Sequence, residues 1–228
     1  MSELQTHYDL MWKESWENLK EGRLFKDPYL KSKEDKRIGI TLRIRPNQEV
    51  LDTILAFQRE LKKIEPSQYY YPIETVHWTV LSIISCSADV RTDQLKVLTE
   101  YEYVISEELR NIGSFEILLR GLTLSKVGPL IQGYPQSADL DRLRDGLRER
   151  FRKSDLMHSI DTRYAIRTAH STVMRYQEDL VDQKAYMKFL SHHKNIDFGT
   201  AHINQFELVI NDWYHRSDKT EIMRTFSL

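Results

Sequence analysis

The sequence predicts an α+β fold built from two duplicated α/β units that pack as lobes about a pseudo-two-fold axis. Three observations predict it. The coarse elements run strand, helix, strand, helix, strand, and then begin again as strand, helix, strand, helix, strand, strand. Each series carries the pattern His-x-Thr-Val on a strand between two helices, as His77-Trp78-Thr79-Val80 and as His170-Ser171-Thr172-Val173. The 228 residues, 40% hydrophobic and 29% charged, supply enough chain for a substantial core.

The elements follow in order. Residues 1–36 read as a helical extension that turns irregular, with Tyr8, Met11, Trp12 and Trp16 on one helical face that can lie against the main body. The charge run 31–37 reads as a solvated linker. Residues 37–44 alternate apolar and polar and predict a strand. Asn47 opens a helix over 47–65, with Val50, Ile54, Phe57 and Leu61 on one face. A tyrosine-rich loop between Pro66 and Pro72 leads into the strand 76–84, "VHWTVLSII". A helix over 93–113 with Gly113 as its C-cap closes the first series. The second begins with a hairpin, 115–125 and 128–134, turning at Lys126 and Val127. A helix over 137–153 capped by Ser137, a strand over 168–176, a helix over 182–193 and strands over 203–212 and 221–228 complete it.

Lys and Arg total 33 against 34 Asp and Glu, a formal charge of −1. Proteins that hold long nucleic acids by their phosphates carry a basic excess, so a long duplex partner is not expected. A small anion or the end of an oligonucleotide is compatible with this balance. No apolar run is long enough to span a bilayer, and the first twenty residues lack the basic and apolar regions of a secretory signal. The single cysteine, Cys86, cannot form an intrachain disulfide. A cytoplasmic monomer with no membrane association is therefore expected.

In a strand, residues i and i+2 share a face. His77 and Thr79 therefore point one way while Trp78 and Val80 point to the core, and His170 and Thr172 repeat the arrangement. A lone histidine in such a strand is usually a satisfied core residue, and a single four-residue pattern carries little weight. Two copies at matching places in a repeated topology are a strong signal.

Over residues 37–228 the chain resembles the 2H phosphoesterase superfamily, named for its two H-x-T/S-x motifs, which includes 2′-5′ RNA ligase-like proteins and cyclic phosphodiesterases. The resemblance implies a bilobal fold with two antiparallel sheets, lobes of roughly 37–113 and 114–228 that interleave, and a central cleft between the motif strands. It implies phosphodiester chemistry on a small nucleotide or RNA end, with no metal and no organic cofactor. Residues 1–36 lie outside it.

The chemistry agrees with the residue types. Opening a 2′,3′-cyclic phosphate requires a water activated on one side of phosphorus and a leaving oxygen protonated on the other. Imidazole suits both tasks near neutrality, so His77 and His170 are the expected catalytic pair. In-line displacement then demands that they approach phosphorus from opposite sides. Thr79 and Thr172 are expected to donate to the non-bridging oxygens, and losing one such donor costs about 3 to 4 kcal/mol of barrier stabilisation. Residue types alone do not say which ring is the base. They also leave open a nucleotide- or RNA-end-binding module without turnover, an RNA ligase, an RNA-end exonuclease and a 2′-5′ oligonucleotide phosphodiesterase.

The remaining candidates carry less signal. Zinc catalysis usually needs three protein ligands, and neither motif brings a third histidine or a carboxylate into phase. His192, His193 and His202 read as surface residues, and His7, His158 and His215 carry no pattern. Tyr71 and Tyr134 are candidate substrate-binding aromatics, with Trp213 and Tyr214 behind them. Arg43, Arg45, Arg167 and Arg175 lie near the motifs and could supplement phosphate binding. Arg175, five residues after His170, has the wrong strand parity unless the strand bulges. Cys86 reads as a packed thiol.

Overall fold

The computed structural model describes residues 2–90 and 98–228. Two four-stranded antiparallel sheets form its framework. β1 (Ile38–Ile44), β3 (Trp78–Ser87), β9 (Gln205–Asp212) and β10 (Glu221–Ser227) make the first, in the order β10-β9-β1-β3. β4 (Phe115–Ser125), β5 (Gly128–Pro135), β6 (Ser171–Thr172) and β8 (Asp197–Ile203) make the second, in the order β6-β5-β4-β8. A two-strand ribbon pairs β2 (Tyr69–Tyr70) with β7 (Met174–Arg175).

The duplication is visible in the connectivity. β1, α2 (Gln48–Ile64) and β3 run strand-helix-strand, as do β5, α4 (Asp139–Lys153) and β6. In each case the second strand pairs antiparallel with the first and takes the edge of its sheet. The two His-x-Thr motifs thus begin the two edge strands β3 and β6. The last strands of the chain, β9 and β10, return to the first sheet, so the sheets interleave in sequence.

The helices join the sheets into one core. α1 (Glu3–Lys20) packs on β4, α2 on β8 and on α5 (Gln183–His192), and α4 on β3 and on α3 (Leu98–Leu109). Val50, Ile54, Phe57 and Leu61 are buried along one face of α2, as their spacing predicts. Tyr8 and Trp12 of the N-terminal stripe are buried, and the Tyr8 hydroxyl donates to the Gly133 carbonyl at 3.2 Å. No helix among the described residues is long and apolar enough to cross a membrane.

Several local expectations are corrected. The charge run 31–37 is not simply solvated. Asp35 is buried, bound by Arg37 at 2.8 Å, and Arg37 lies over the rings of Tyr29 and Trp213. Ser137 is not the N-cap of α4, which is Ala138, although its hydroxyl still accepts from the Asp139 amide. α3 ends at Leu109 rather than at Gly113, and residues 93–97 of that expected helix lie outside the described residues. The tyrosine loop contains the short strand β2. β8 was not anticipated, because Gly199, at φ 97°, shifts its register against β4 and breaks the alternation.

Candidate active site

The repeat extends further than four residues. Thr75-Val76-His77-Trp78-Thr79-Val80 matches Thr168-Ala169-His170-Ser171-Thr172-Val173, and both upstream threonines hold their histidines. His77 follows a 3₁₀ turn, Ile73–Thr75, whose Thr75 hydroxyl donates to the Pro72 carbonyl at 2.7 Å. The Thr75 carbonyl is left to accept from His77 Nδ1–H at 2.7 Å. A carbonyl can only accept, so the proton of neutral His77 sits on Nδ1 and the lone pair on Nε2. His170 Nδ1 instead meets the Thr168 hydroxyl at 2.6 Å. A hydroxyl can donate, and when it does His170 carries its proton on Nε2. The two rings are held at the same point by partners of different chemistry.

The expected alternation holds through the first motif. His77 and Thr79 keep accessible surface, while Val76, Trp78 and Val80 are buried. His170 and Thr172 do the same beside buried Ala169, Ser171 and Val173. The expected strand 168–176 is broken at Val173, however. β6 pairs with β5, β7 crosses to β2, and Val173 and Met174 are consecutive buried residues. The break reverses parity and turns Arg175 into the same cavity as His170 and Thr172. Its Nε donates to the Tyr71 hydroxyl at 2.7 Å.

The two motifs are tied directly. Ser171 Oγ donates to the His77 carbonyl at 3.0 Å. Arg144, buried on α4, donates to the carbonyls of Val80 (3.0 Å), Thr79 (3.0 Å) and Thr168 (2.8 Å). Gln58 of α2 donates to the carbonyls of Tyr71 (2.9 Å) and Val173 (2.8 Å). Gly133 on β5 admits the Ala169 carbonyl where a Cβ would collide with it. Helices from both units thus satisfy carbonyls that the edge strands leave unpaired, and this sets the spacing of the motifs.

His77, Thr79, His170 and Thr172 line one cavity of about 180 Å³, joined by Tyr71, Arg175, Trp213 and His215. Among the described residues no hydrogen bond engages the hydroxyl of Thr79 or Thr172, so both donors remain available to a ligand. Burial pushes the pKa of both motif histidines down to about 4, opposed at His77 by the Thr75 carbonyl. The positive charges of Arg43 and Arg45 add to the shift at His77, and that of Arg144 adds to it at His170. The cavity therefore holds two neutral imidazoles at pH 7, near positive charge that a bound anion would offset.

Other candidates fall elsewhere. Tyr71 lines the cavity but Tyr134 does not; its hydroxyl contacts Gln5 of α1 and Gln132 of β5. Arg43 is committed to Glu207 at 2.8 Å, Arg45 reaches only the Ile73 carbonyl at 3.4 Å, and Arg167 is exposed outside the cavity. Cys86 borders the cavity as a buried thiol that burial pushes up to about 12. Among the described residues no group of three or more His, Cys, Asp or Glu side chains is placed to hold a metal. Sequence reasoning missed His215, whose ring lies 3.9 Å from that of His77. It also missed Arg163 and Tyr164, which line the mouth of the cavity from a loop without pattern.

Two His-x-Thr motifs on the edge strands of paired antiparallel sheets, converging on one cavity, define a protein of the 2H phosphoesterase superfamily. The chain matches the family described as AKAP7 2′5′ RNA ligase-like domain over residues 40–220, and belongs to that family. No curated protein matches it in sequence. Solved structures share its fold. E. coli LigT complexed with 3′-AMP is 13% identical with a TM-score of 0.54, over 84% of this chain and 98% of that one. TT0787 of Thermus thermophilus is 16% identical with a TM-score of 0.57, over 84% and 97%. ATU0111 of Agrobacterium tumefaciens, a conserved protein of unknown function, is 12% identical with a TM-score of 0.56, over 91% and 96%.

Proposed function

We propose that this protein is a metal-independent phosphodiesterase acting on 2′,3′-cyclic phosphates or related 2′-linked phosphodiesters of nucleotides or short RNA. One observation carries the reading. Two imidazoles and two unengaged threonine hydroxyls line the same anion-sized cavity. LigT, which shares this fold, has been crystallised with 3′-AMP, ATP and phosphate, which supports a small nucleotide ligand.

The hydrogen bonds support one division of roles. His77, fixed with its proton on Nδ1, offers the Nε2 lone pair and takes the proton of the attacking water. His170, once protonated, donates Nδ1–H to the Thr168 hydroxyl and delivers its Nε2 proton to the leaving oxygen. Thr79 and Thr172 donate to the non-bridging oxygens, where negative charge grows. Arg175 adds positive charge at the same wall. With both rings neutral at pH 7, the bound phosphate must supply the field that brings the working proton onto His170.

The test is hydrolysis of 2′,3′-cyclic mononucleotides, with and without chelator, by the wild-type chain and by His77→Ala and His170→Ala. Chelator-resistant turnover that falls at least a thousandfold in each variant is the expected result. Tight nucleotide binding without turnover by the wild-type chain would assign a binding module instead.

A further inference from the structure

The segment between α1 and β1, residues 21–37, lies outside residues 40–220, where the family match falls, yet it places a carboxylate behind the catalytic cavity. The segment is anchored at both ends. The Phe25 amide donates to the Lys126 carbonyl at 3.1 Å, Leu30 is buried, and Arg216 donates to the carbonyls of Tyr29 and Leu30 at 3.2 Å each. Between these anchors Asp27 turns inward, its side chain 9% exposed. One carboxylate oxygen accepts from the Tyr29 amide at 3.0 Å, and the other lies 3.9 Å from Arg175 Nη1.

We propose that Asp27 is a specificity-determining residue, whose charge offsets that of Arg175 so that the site favours the singly charged phosphodiester over the doubly charged phosphomonoester that hydrolysis leaves. The inference rests on the reading of the cavity as the phosphate site and adds to it the means by which substrate is told from product. A diester carries one negative charge, whereas a monoester gains a second with a pKa of about 6. The neutral donors, the hydroxyls of Thr79 and Thr172, can serve either species, so charge is what separates them.

The balance of charge on the cavity wall supports this. Two guanidiniums line the cavity, those of Arg163 and Arg175. Arg163 is spent on the Cys86 carbonyl at 3.0 Å and on the Trp213 ring, and among the described residues no carboxylate pairs with it. The carboxylate in the wall, Asp161, is committed to Arg148 at 2.7 Å. Arg175, itself 12% exposed, is offset by Asp27 alone among the described residues. The field of Asp27 also reaches Tyr71 in the same wall. Burial first raises that phenol's pKa, Arg175 opposes the rise, and the charges of Asp212 and Asp27 add to it. An anion resting on Arg175 stands roughly 8 Å from the Asp27 carboxylate, where the repulsion weakens binding roughly five- to thirtyfold for each ligand charge. The dianion meets that penalty twice.

The experiment measures the binding of methyl phosphate and dimethyl phosphate by titration calorimetry at pH 8, where the first is a dianion and the second a monoanion. It uses the full-length wild-type chain, Asp27→Asn and Asp27→Glu, with melting curves to verify folding. The wild-type chain is expected to bind the two ligands within tenfold of each other. In Asp27→Asn both should bind more tightly, and the preference for methyl phosphate over dimethyl phosphate should rise at least threefold. Asp27→Glu, which keeps the charge, should keep the wild-type preference. An unchanged preference in Asp27→Asn, including an equal loss of both ligands, overturns the inference and leaves Asp27 a packing residue. A wild-type chain that binds methyl phosphate more than tenfold tighter than dimethyl phosphate overturns it without any variant. Binding of neither ligand by the wild-type chain overturns the reading of the cavity as a phosphate site, and this inference with it.

Discussion

The imidazole of His215 lies against that of His77, with centroids 3.9 Å apart and planes inclined by 39°. His215 adopts a left-handed backbone, φ 52°, a conformation uncommon outside glycine and enriched in Asn, Asp and His. Asn211 Nδ2 lies 3.1 Å from its Nε2, and that amide also donates to the Asp212 carbonyl at 2.9 Å. Arg43 Nη1, which can only donate, lies 3.4 Å from the other ring nitrogen, Nδ1. Burial first, then the charges of His77 and Arg43, hold the His215 pKa well below its usual range. A neutral ring therefore lies tilted against the proposed base, where it can stabilise the cation that forms when His77 takes a proton. Replacing it with asparagine keeps a residue that tolerates the backbone and removes the ring. His215→Asn is expected to lower kcat about tenfold, with KM little changed, and to shift the limb of the pH profile that reports His77. Unchanged kcat and profile would reduce His215 to packing.

Thr168 is the second asymmetry to test. Its hydroxyl is the described partner of His170 Nδ1, and its side chain is buried. Thr168→Val keeps the shape and removes the hydrogen bond, which frees the ring to choose either tautomer. Buried donors and acceptors left unpaired cost about 1 to 3 kcal/mol, so kcat should drop roughly 10- to 100-fold. Thr168→Ser should restore most of it. Full activity in the valine variant with loss in the serine variant would show that the methyl group, rather than the hydroxyl, is what matters.

The motif pair and its neighbouring elements were legible because they rest on local rules. The alternation in His77-Trp78-Thr79-Val80 sets the faces of β3, and the apolar spacing of Val50, Ile54, Phe57 and Leu61 sets the buried face of α2. The rest depends on contacts remote in sequence. Arg175 joins the cavity only because the strand breaks at Val173 to pair with β2, where Tyr69 lies opposite Arg175. His215 arrives from a turn after β9, whose place beside β1 no local pattern encodes. The threonine two residues before each histidine was readable in principle, since it extends a repeat already noticed. Tyr134 sits on β5, where its strand was expected, with its hydroxyl turned to Gln5 of α1 rather than into the catalytic cavity, a contact that no local pattern encodes.

The depressed histidines give stability a definite pH dependence. In the unfolded chain an imidazole takes its proton near pH 6.5, but in the folded one His77 and His170 take theirs only at about 4. As pH falls from about 6.5 towards 4 the unfolded state binds more protons, so stability falls; above 6.5 these groups exert no such pull. After allowance for the partial exposure of the rings, the loss between pH 7 and pH 5 is roughly 1 kcal/mol per histidine. Denaturant melts should therefore show a smaller drop over that interval in the His77→Gln, His170→Gln double variant than in the wild-type chain. Added phosphate at pH 5 should recover part of the wild-type loss, because a bound anion favours the protonated rings. Wild-type stability that is flat or rising on acidification across this range would contradict the assignment.

Arg144 tests whether the cleft is a product of the fold or of the histidines. It is among the most deeply buried charges in the structure, 1% exposed, and its nearest carboxylate, Asp141, is 3.8 Å away and exposed. Burial draws its pKa down to about 10, so it remains charged at neutral pH. What compensates it is the set of three carbonyls, of Thr79, Val80 and Thr168, which belong to the two motif segments. A planar fork can serve all three from one position, and a lysine ammonium cannot. Arg144→Met leaves those carbonyls unpaired in the core at a cost of about 3 kcal/mol or more. Arg144→Lys should recover only part of that, because one end of the fork is lost. In both variants the denaturation midpoint should fall, and phosphate should bind more weakly even under conditions where the chain stays folded, because the segments carrying Thr79 and His170 are no longer held at one spacing. A variant that is destabilised but binds phosphate as the wild-type chain does would show that Ser171 and Gln58 suffice to hold the two motifs together.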